Sequence, residues 1–291
     1  MHSYLRAIGF SKITKSELKG ILSEAGKHPD GYEVTIDDEG NEYAELRFEI
    51  AEGIGLVMRG TYNERDEFLV DYYFPYFESR LITTFGKTEI IKLSDREGYQ
   101  GLTEDNRLGI DLIYHIQNMI GVIRSNLPVD TFMDINGVCL SGLATEGKVL
   151  LPLAMTKSQR DRKKELVAER IQLIEAAKEG DQEAYEKLSL GDLDTYTDIN
   201  QRIASEDILT IVSSTFMPSG IESDKYAIIG EIMSFTKVKN ELTMEELYIM
   251  HVDCNDMEFE LCINAKDLYG EPMVGRRFKG TVWLQGKIEV A

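Results

Sequence analysis

Between Asn41 and Ile50 the chain alternates without a break: Ala44, Leu46, Phe48 and Ile50 fall on one parity and Tyr43, Glu45, Arg47 and Glu49 on the other. A period of two puts successive side chains on opposite faces of an extended chain, so this stretch reads as a half-buried strand. The polar turn Asp38–Asn41 precedes it, and Ile54–Tyr62 and Glu67–Phe74 follow, joined by the turn at Asn63–Asp66. Strands this close in sequence pair antiparallel as a meander. In front of them lies one helix. Thr14 and Glu17 have the spacing of a capping box, Leu18, Ile21, Leu22 and Ala25 share a helical face, and Gly26 suits the C-terminal cap.

Leu108–Ile123 fits both a helical and an alternating pattern; Gly109 inside it favours a strand for the first half. Val138–Leu143 and Val149–Leu153 read as a hairpin turning at Thr145–Lys148. Composition changes at Thr156, where the basic run Lys157–Lys164 leads into a helix with Val167, Ile171 and Ile174 on one face, ending near Gly180. Asp181 caps a second helix to Leu188, and Asp192–Ala204 reads as a third. Strand patterns return at Tyr226–Phe235, which can bend at Gly230. Leu247–Val252 and Met257–Ile263 flank an Asn255-Asp256 turn, and a last strand covers Lys279–Val290. The expected architecture is α+β. An antiparallel-sheet domain (residues 1–155) and a helical connector (156–220) lead to a small β-barrel-like domain (221–291) of the oligonucleotide/oligosaccharide-binding type.

Charge narrows the partners. The chain has 32 Lys and Arg against 51 Asp and Glu, a formal net charge of −19. Nucleic-acid affinity comes largely from cations that displace counterions from phosphates, and anionic membrane surfaces attract cations in the same way, so neither is an expected partner. No apolar run approaches the roughly 20 residues of a membrane helix. The opening residues carry Arg6, Lys12 and Lys15 and no continuous apolar core, unlike a secretory signal. Cys139, Cys254 and Cys262 are odd in number and suit reduced thiols, which places the chain in the cytoplasm.

Three phrases, MHSYLRAIGFSKI at the start, FMPSGIESDKYAIIGEI at Phe216–Ile232 and GEPMVGRRFKGTVWLQGKI at Gly270–Ile288, resemble an uncharacterised family of proteins from anaerobic gut Firmicutes. The resemblance runs the length of the chain. It implies a bacterial, cytoplasmic protein of unknown function and carries over no catalytic residue.

Each candidate motif is incomplete. Gly142–Lys148 matches the start of a phosphate-binding loop, but Val149 replaces the metal-binding hydroxyl and an apolar stretch replaces the helix. Gly86-Lys87-Thr88 lacks the first glycine, and Gly53-Ile54-Gly55 has Met58 where a dinucleotide fingerprint needs its third. Asp192–Asp198 imitates an acidic calcium loop with Thr197 in place of the turn glycine. His251, Cys254 and Cys262 are too few, and too divided between strand faces, for zinc. No metal and no cofactor is expected. Asp111, His115 and Ser141 could form a hydrolase-like set without a nucleophile elbow, which keeps an enzyme with a dispersed site as the alternative. The aromatic run Tyr72–Phe77 could stack a ring, although such runs usually end a core strand.

One feature points to binding. In the last strand Phe278, Val282, Leu284, Ile288 and Val290 share one parity, while Arg277, Lys279, Thr281, Trp283, Gln285 and Lys287 share the other. The only tryptophan thus lies on a basic face of an acidic protein. The expected function is non-enzymatic binding or regulation, of a protein or a small anionic ligand, with Trp283 as anchor and Arg277 and Lys279 as charge partners. The competing expectation is that this stripe docks against the rest of the chain.

Overall fold

A computed structural model describes residues 2–36, 40, 42–94, 98–108, 110–125, 131–153, 157–203, 207–221 and 223–289. Gly109, Ala204, Val290 and most of the turn expected at Asp38–Asn41 lie outside these residues. A 3-10 segment, Ser3–Ile8, opens the chain. Helix α1 (Lys15–Ala25) follows with both halves of the Thr14/Glu17 capping box formed. Strands β1 (Gly31–Ile36), β2 (Glu42–Ala51), β3 (Ile54–Tyr62) and β4 (Phe68–Phe77) make an antiparallel sheet in sequence order. Next come β5 (Thr88–Ser94), β6 (Gly98–Asp105), β7 (Ile110–Ile116), α2 (Met119–Arg124) and β8 (Val138–Leu150). Helices α3 (Lys157–Lys178), α4 (Gln182–Ile203) and α5 (Ile208–Ile211) lead to β9 (Thr215–Pro218) and β10 (Lys225–Lys239). The chain ends with β11 (Glu246–Cys254), β12 (Met257–Asn264), β13 (Leu268–Tyr269) and β14 (Arg277–Ile288).

The protein is therefore mixed α+β, with a second sheet of ten strands besides the four-stranded one. Within the larger sheet β8, β12, β11, β10 and β14 close a five-stranded barrel, sealed where β14 pairs antiparallel with β8. All its pairings are antiparallel except β8 with β12. Residues after 220 supply four of the five strands; β8, earlier in sequence than the helices, supplies the other. The ambiguous stretch at 108–123 begins with a strand, as expected for its first half, and its second half, left open by the sequence, holds a short helix. Asn255 and Asp256 both adopt positive φ, at 57° and 61°, as a tight hairpin turn requires.

Two sequence expectations are corrected. The hairpin expected at 138–153 is one continuous strand, β8. Gly147 and Gly280 face each other across β8 and β14, and a Cβ on Gly147 would lie 2.3 Å from the Phe278 ring. The glycine makes room for a core aromatic and turns nothing. Likewise α4 runs unbroken from Gln182 to Ile203, through the gap expected between two helices and through the acidic-loop imitation at Asp192–Asp198. Gly191 costs that helix about 1 kcal/mol without ending it.

Three clusters make the core. Phe278, Val282, Leu284 and Ile288 fill the barrel with Ile228, Val252, Phe259 and Leu261, as the parity of β14 requires. A second cluster joins the 3-10 segment and the inner face of the small sheet to the barrel's outer face at Leu143, Leu247, Cys262 and Trp283. A third lies between α1 and the other face of that sheet. Among the described residues no helix is long and apolar enough to cross a membrane.

Candidate functional site

The outward side of the barrel is covered in one part and open in another. Across five strands Tyr269, Lys148, Lys279, Ile229 and Thr215 stand side by side, each the register partner of the next. The next outward row contains Thr281, Ala227 and Met217. These rows form the floor of a groove of about 490 Å³, with Leu209 of α5, Glu146 and Asp267 on its walls. Its volume falls in the range of small-molecule sites, roughly 300–1,000 Å³. One end, at β9 and β10, is apolar; the other, at β8 and β14, is cationic.

Lys148 and Lys279 are directly opposed on neighbouring strands, which brings their Cβ atoms to about 5 Å. Like charges so placed repel and destabilise a sheet. Among the described residues neither has an ion-pair or side-chain hydrogen-bond partner. In a chain of net charge −19, two adjacent cations without an ion-pair partner among the described residues stand at the end of an apolar groove.

The sequence-predicted residues separate. Lys279 is exposed and lines the groove. Arg277, on the same parity, is buried and donates to three main-chain carbonyls, Leu151 at 3.1 Å, Val212 at 2.6 Å and Leu209 at 2.8 Å. Burial lowers its pKa. Trp283 is only 5% exposed, and its Nε1 donates to Asp224 at 2.7 Å. The rings of His2, Tyr4, His115 and Phe74 surround it at centroid distances of 4.7, 5.4, 5.2 and 6.3 Å. Trp283 therefore packs against the N-terminal segment, the small sheet and β7, away from the groove. Lys148 was hidden in sequence by its place in a defective phosphate-loop motif. An outward lysine at that position becomes visible only once β8 is known to be one strand paired with β14.

The hydrolase-like set is not assembled. Asp111 is exposed, whereas His115 is buried. Ser141 and His115 flank Gln285 on opposite sides, one on β8 and the other on β7. The Ser141 hydroxyl donates to the Phe77 carbonyl at 2.5 Å and accepts from Gln117 at 3.2 Å. Burial, the Arg59 guanidinium and His2 hold the His115 pKa well below 6.5, so its ring is neutral. Arg59 itself is buried in a 2.7 Å ion pair with Glu45. Of the aromatic run, Phe74, Tyr76 and Phe77 are buried.

Cys254 faces the barrel interior and Cys262 the opposite side, where its Sγ lies 3.6 Å from the Ala7 carbonyl. His251 lies 2.8 Å from Glu258. Among the described residues no three His, Cys, Asp or Glu side chains gather as metal ligands. A second groove of about 640 Å³ lies between α1 and the loop before β11. Its carboxylates already have partners: Glu17 is in the capping box, Glu24 pairs with Lys27, and Glu245 holds Ser11, Asn264 and Lys266. It offers no comparable pair of free like charges.

Over residues 5–286 the chain matches the family described as "Domain of unknown function, E. rectale Gene description (DUF3881)", in agreement with the resemblance to gut Firmicutes proteins. No curated protein and no solved structure matches the chain.

Proposed function

The chain belongs to that family of unknown function, and we propose from the groove that it is a non-enzymatic binding protein for a small ligand with an anionic head and an apolar body. The opposed lysines support this reading most directly. A pair that repels itself and finds no partner among the described residues is accounted for by a partner from outside. The head would lie between Lys148 and Lys279, and the body would run over Ile229, Ala227 and Met217 towards Leu209. In this reading the protein is cytoplasmic, and regulation follows from ligand occupancy.

The barrel supports an oligonucleotide/oligosaccharide-binding type of fold in a rearranged form. The meander β10–β11–β12 is followed round the barrel by β8, parallel to β12, and then β14. The strand that closes such a barrel is here supplied from before the helices.

The test uses a matched pair of dyes, 8-anilino-1-naphthalenesulfonate and its uncharged parent N-phenyl-1-naphthylamine, titrated by fluorescence into the full chain. The double variant Lys148→Gln/Lys279→Gln should bind the sulfonate about tenfold more weakly, each exposed ion pair contributing up to about 1 kcal/mol, and the neutral dye unchanged. A wild-type chain that ignores the sulfonate, or a double variant that binds it equally well, refutes the proposal.

A further inference from the structure

The charge of the groove depends on a residue outside it. Asp267 stands on the groove wall at the end of the 3-10 turn Ala265–Asp267, immediately before β13, where Tyr269 pairs with Lys148. Asp267 and Lys148 line the same groove, so the carboxylate is a natural ion-pair partner for the lysine. Instead it is held by Arg6. Its Nε and Nη2 donate to the two carboxylate oxygens of Asp267 at 2.7 and 2.5 Å, a bidentate grip. The Asp267 side chain is only 7% exposed beneath it.

The segment carrying Arg6 is fixed on the barrel independently of this pair. Asn264 donates to the Arg6 carbonyl at 3.3 Å, and Asn240 donates to the Ile8 carbonyl at 2.8 Å. The guanidinium is thus delivered to Asp267 by a docked backbone, from a position 261 residues away in sequence.

Resting on the groove reading above, we propose that Arg6 is a positioning residue that sets the charge preference of the groove, reserving Asp267 so that Lys148 remains free for a singly charged anion. With Arg6 and Asp267 cancelling, Glu146 is the one remaining charge that Lys148 and Lys279 face among the described lining residues, which leaves one net positive charge. The ligand class is an apolar monoanion of the carboxylate or sulfonate kind. Without Arg6 the Asp267 carboxylate turns to Lys148 and the groove becomes neutral.

Three full-length variants test this at low ionic strength, with the same two dyes. Arg6→Gln should weaken the sulfonate about two- to fivefold, the range of one exposed ion pair, without changing the affinity for the neutral dye. Asp267→Asn should bind the sulfonate at least as well as wild type. Arg6→Gln/Asp267→Asn should return to the Asp267→Asn level, since the charge that Arg6 cancelled is gone. A silent Arg6→Gln, an equal loss for both dyes or a double variant without recovery would overturn the inference. If the sulfonate still depends on Lys148 and Lys279 while Arg6→Gln is silent, only the role of Arg6 falls. If the two lysines are also silent, the groove reading falls with it.

Discussion

The outward face of β14 has two halves with opposite fates. From Trp283 to Gln285 it lies under the N-terminal segment and the small sheet, with Trp283 ringed by aromatics and Gln285 fully buried, its amide donating to the Pro75 carbonyl at 2.8 Å. At Lys279 and Thr281 the same face is the floor of an open groove. Side-chain parity is identical in both halves. What differs is whether another part of the chain lies above. A basic, aromatic stripe in a sequence can therefore combine a packed face and an open groove in one strand, and local pattern does not separate them.

The largest expected effect lies in the covered half. Trp283→Ala removes a buried indole from the contact between the 3-10 segment, the small sheet and the barrel, and should cost about 3–5 kcal/mol in a urea melt. Wild-type tryptophan emission should be blue-shifted and resistant to iodide. A cost below about 1 kcal/mol, or emission that iodide quenches efficiently, would show that the cover is loose and erase the contrast between the halves.

A smaller effect comes from His115, which packs at 5.2 Å from Trp283 beneath the same cover. Burial comes first, then the charge of Arg59 on β3 and of His2 on the N-terminal segment, in holding its pKa well below 6.5. The unfolded chain therefore takes up a proton near pH 6.5 that the native state refuses. Stability contributed by neutral His115 is complete above that pH and declines as pH falls towards the native pKa, by up to about 1.4 kcal/mol per pH unit. Between pH 7.5 and 5.5 the urea midpoint of wild type should fall more than that of His115→Phe. Equal slopes would mean that the ring is hydrated in the native state.

What could be read from sequence follows the range of the interactions involved. The capping box at Thr14 and Glu17 and the inward row Phe278, Val282, Leu284 and Ile288 are set by neighbours a few residues away, and the structure contains them. The alternation through Ala44–Ile50 gives a strand, but not a half-buried one: Tyr43 and Glu45 on its other face are buried as well. The continuity of β8 was not legible, because Gly147 looks like a turn residue until Phe278, more than a hundred positions later, is seen to need the space. The groove was half legible. Lys279 could be placed on an outward parity, but Lys148 and Tyr269 reach its row only through the β8–β14 and β8–β13 pairings. The cover over Trp283 comes from His2 and Tyr4 at the far end of the chain, a contact that no local pattern encodes.

The smallest effect is expected in the open half, and its sign is the informative part. Lys148 and Lys279 are opposed on paired strands with no carboxylate partner among the described residues. Cross-strand like charges destabilise, and opposite charges in the same positions stabilise, by roughly 0.2–1 kcal/mol. Lys279→Glu should therefore raise stability by about 0.5 kcal/mol, even though it makes an already acidic chain more acidic, while lowering affinity for the anionic dye. Substitution in the covered half should do the reverse, costing stability through packing without touching the groove lysines. A pair kept for folding would make Lys279→Glu destabilising, and that result would remove the reason for assigning the lysines to a ligand. A gain in stability together with a loss of anion binding would show that the sheet tolerates repulsion at this row because something outside the chain relieves it.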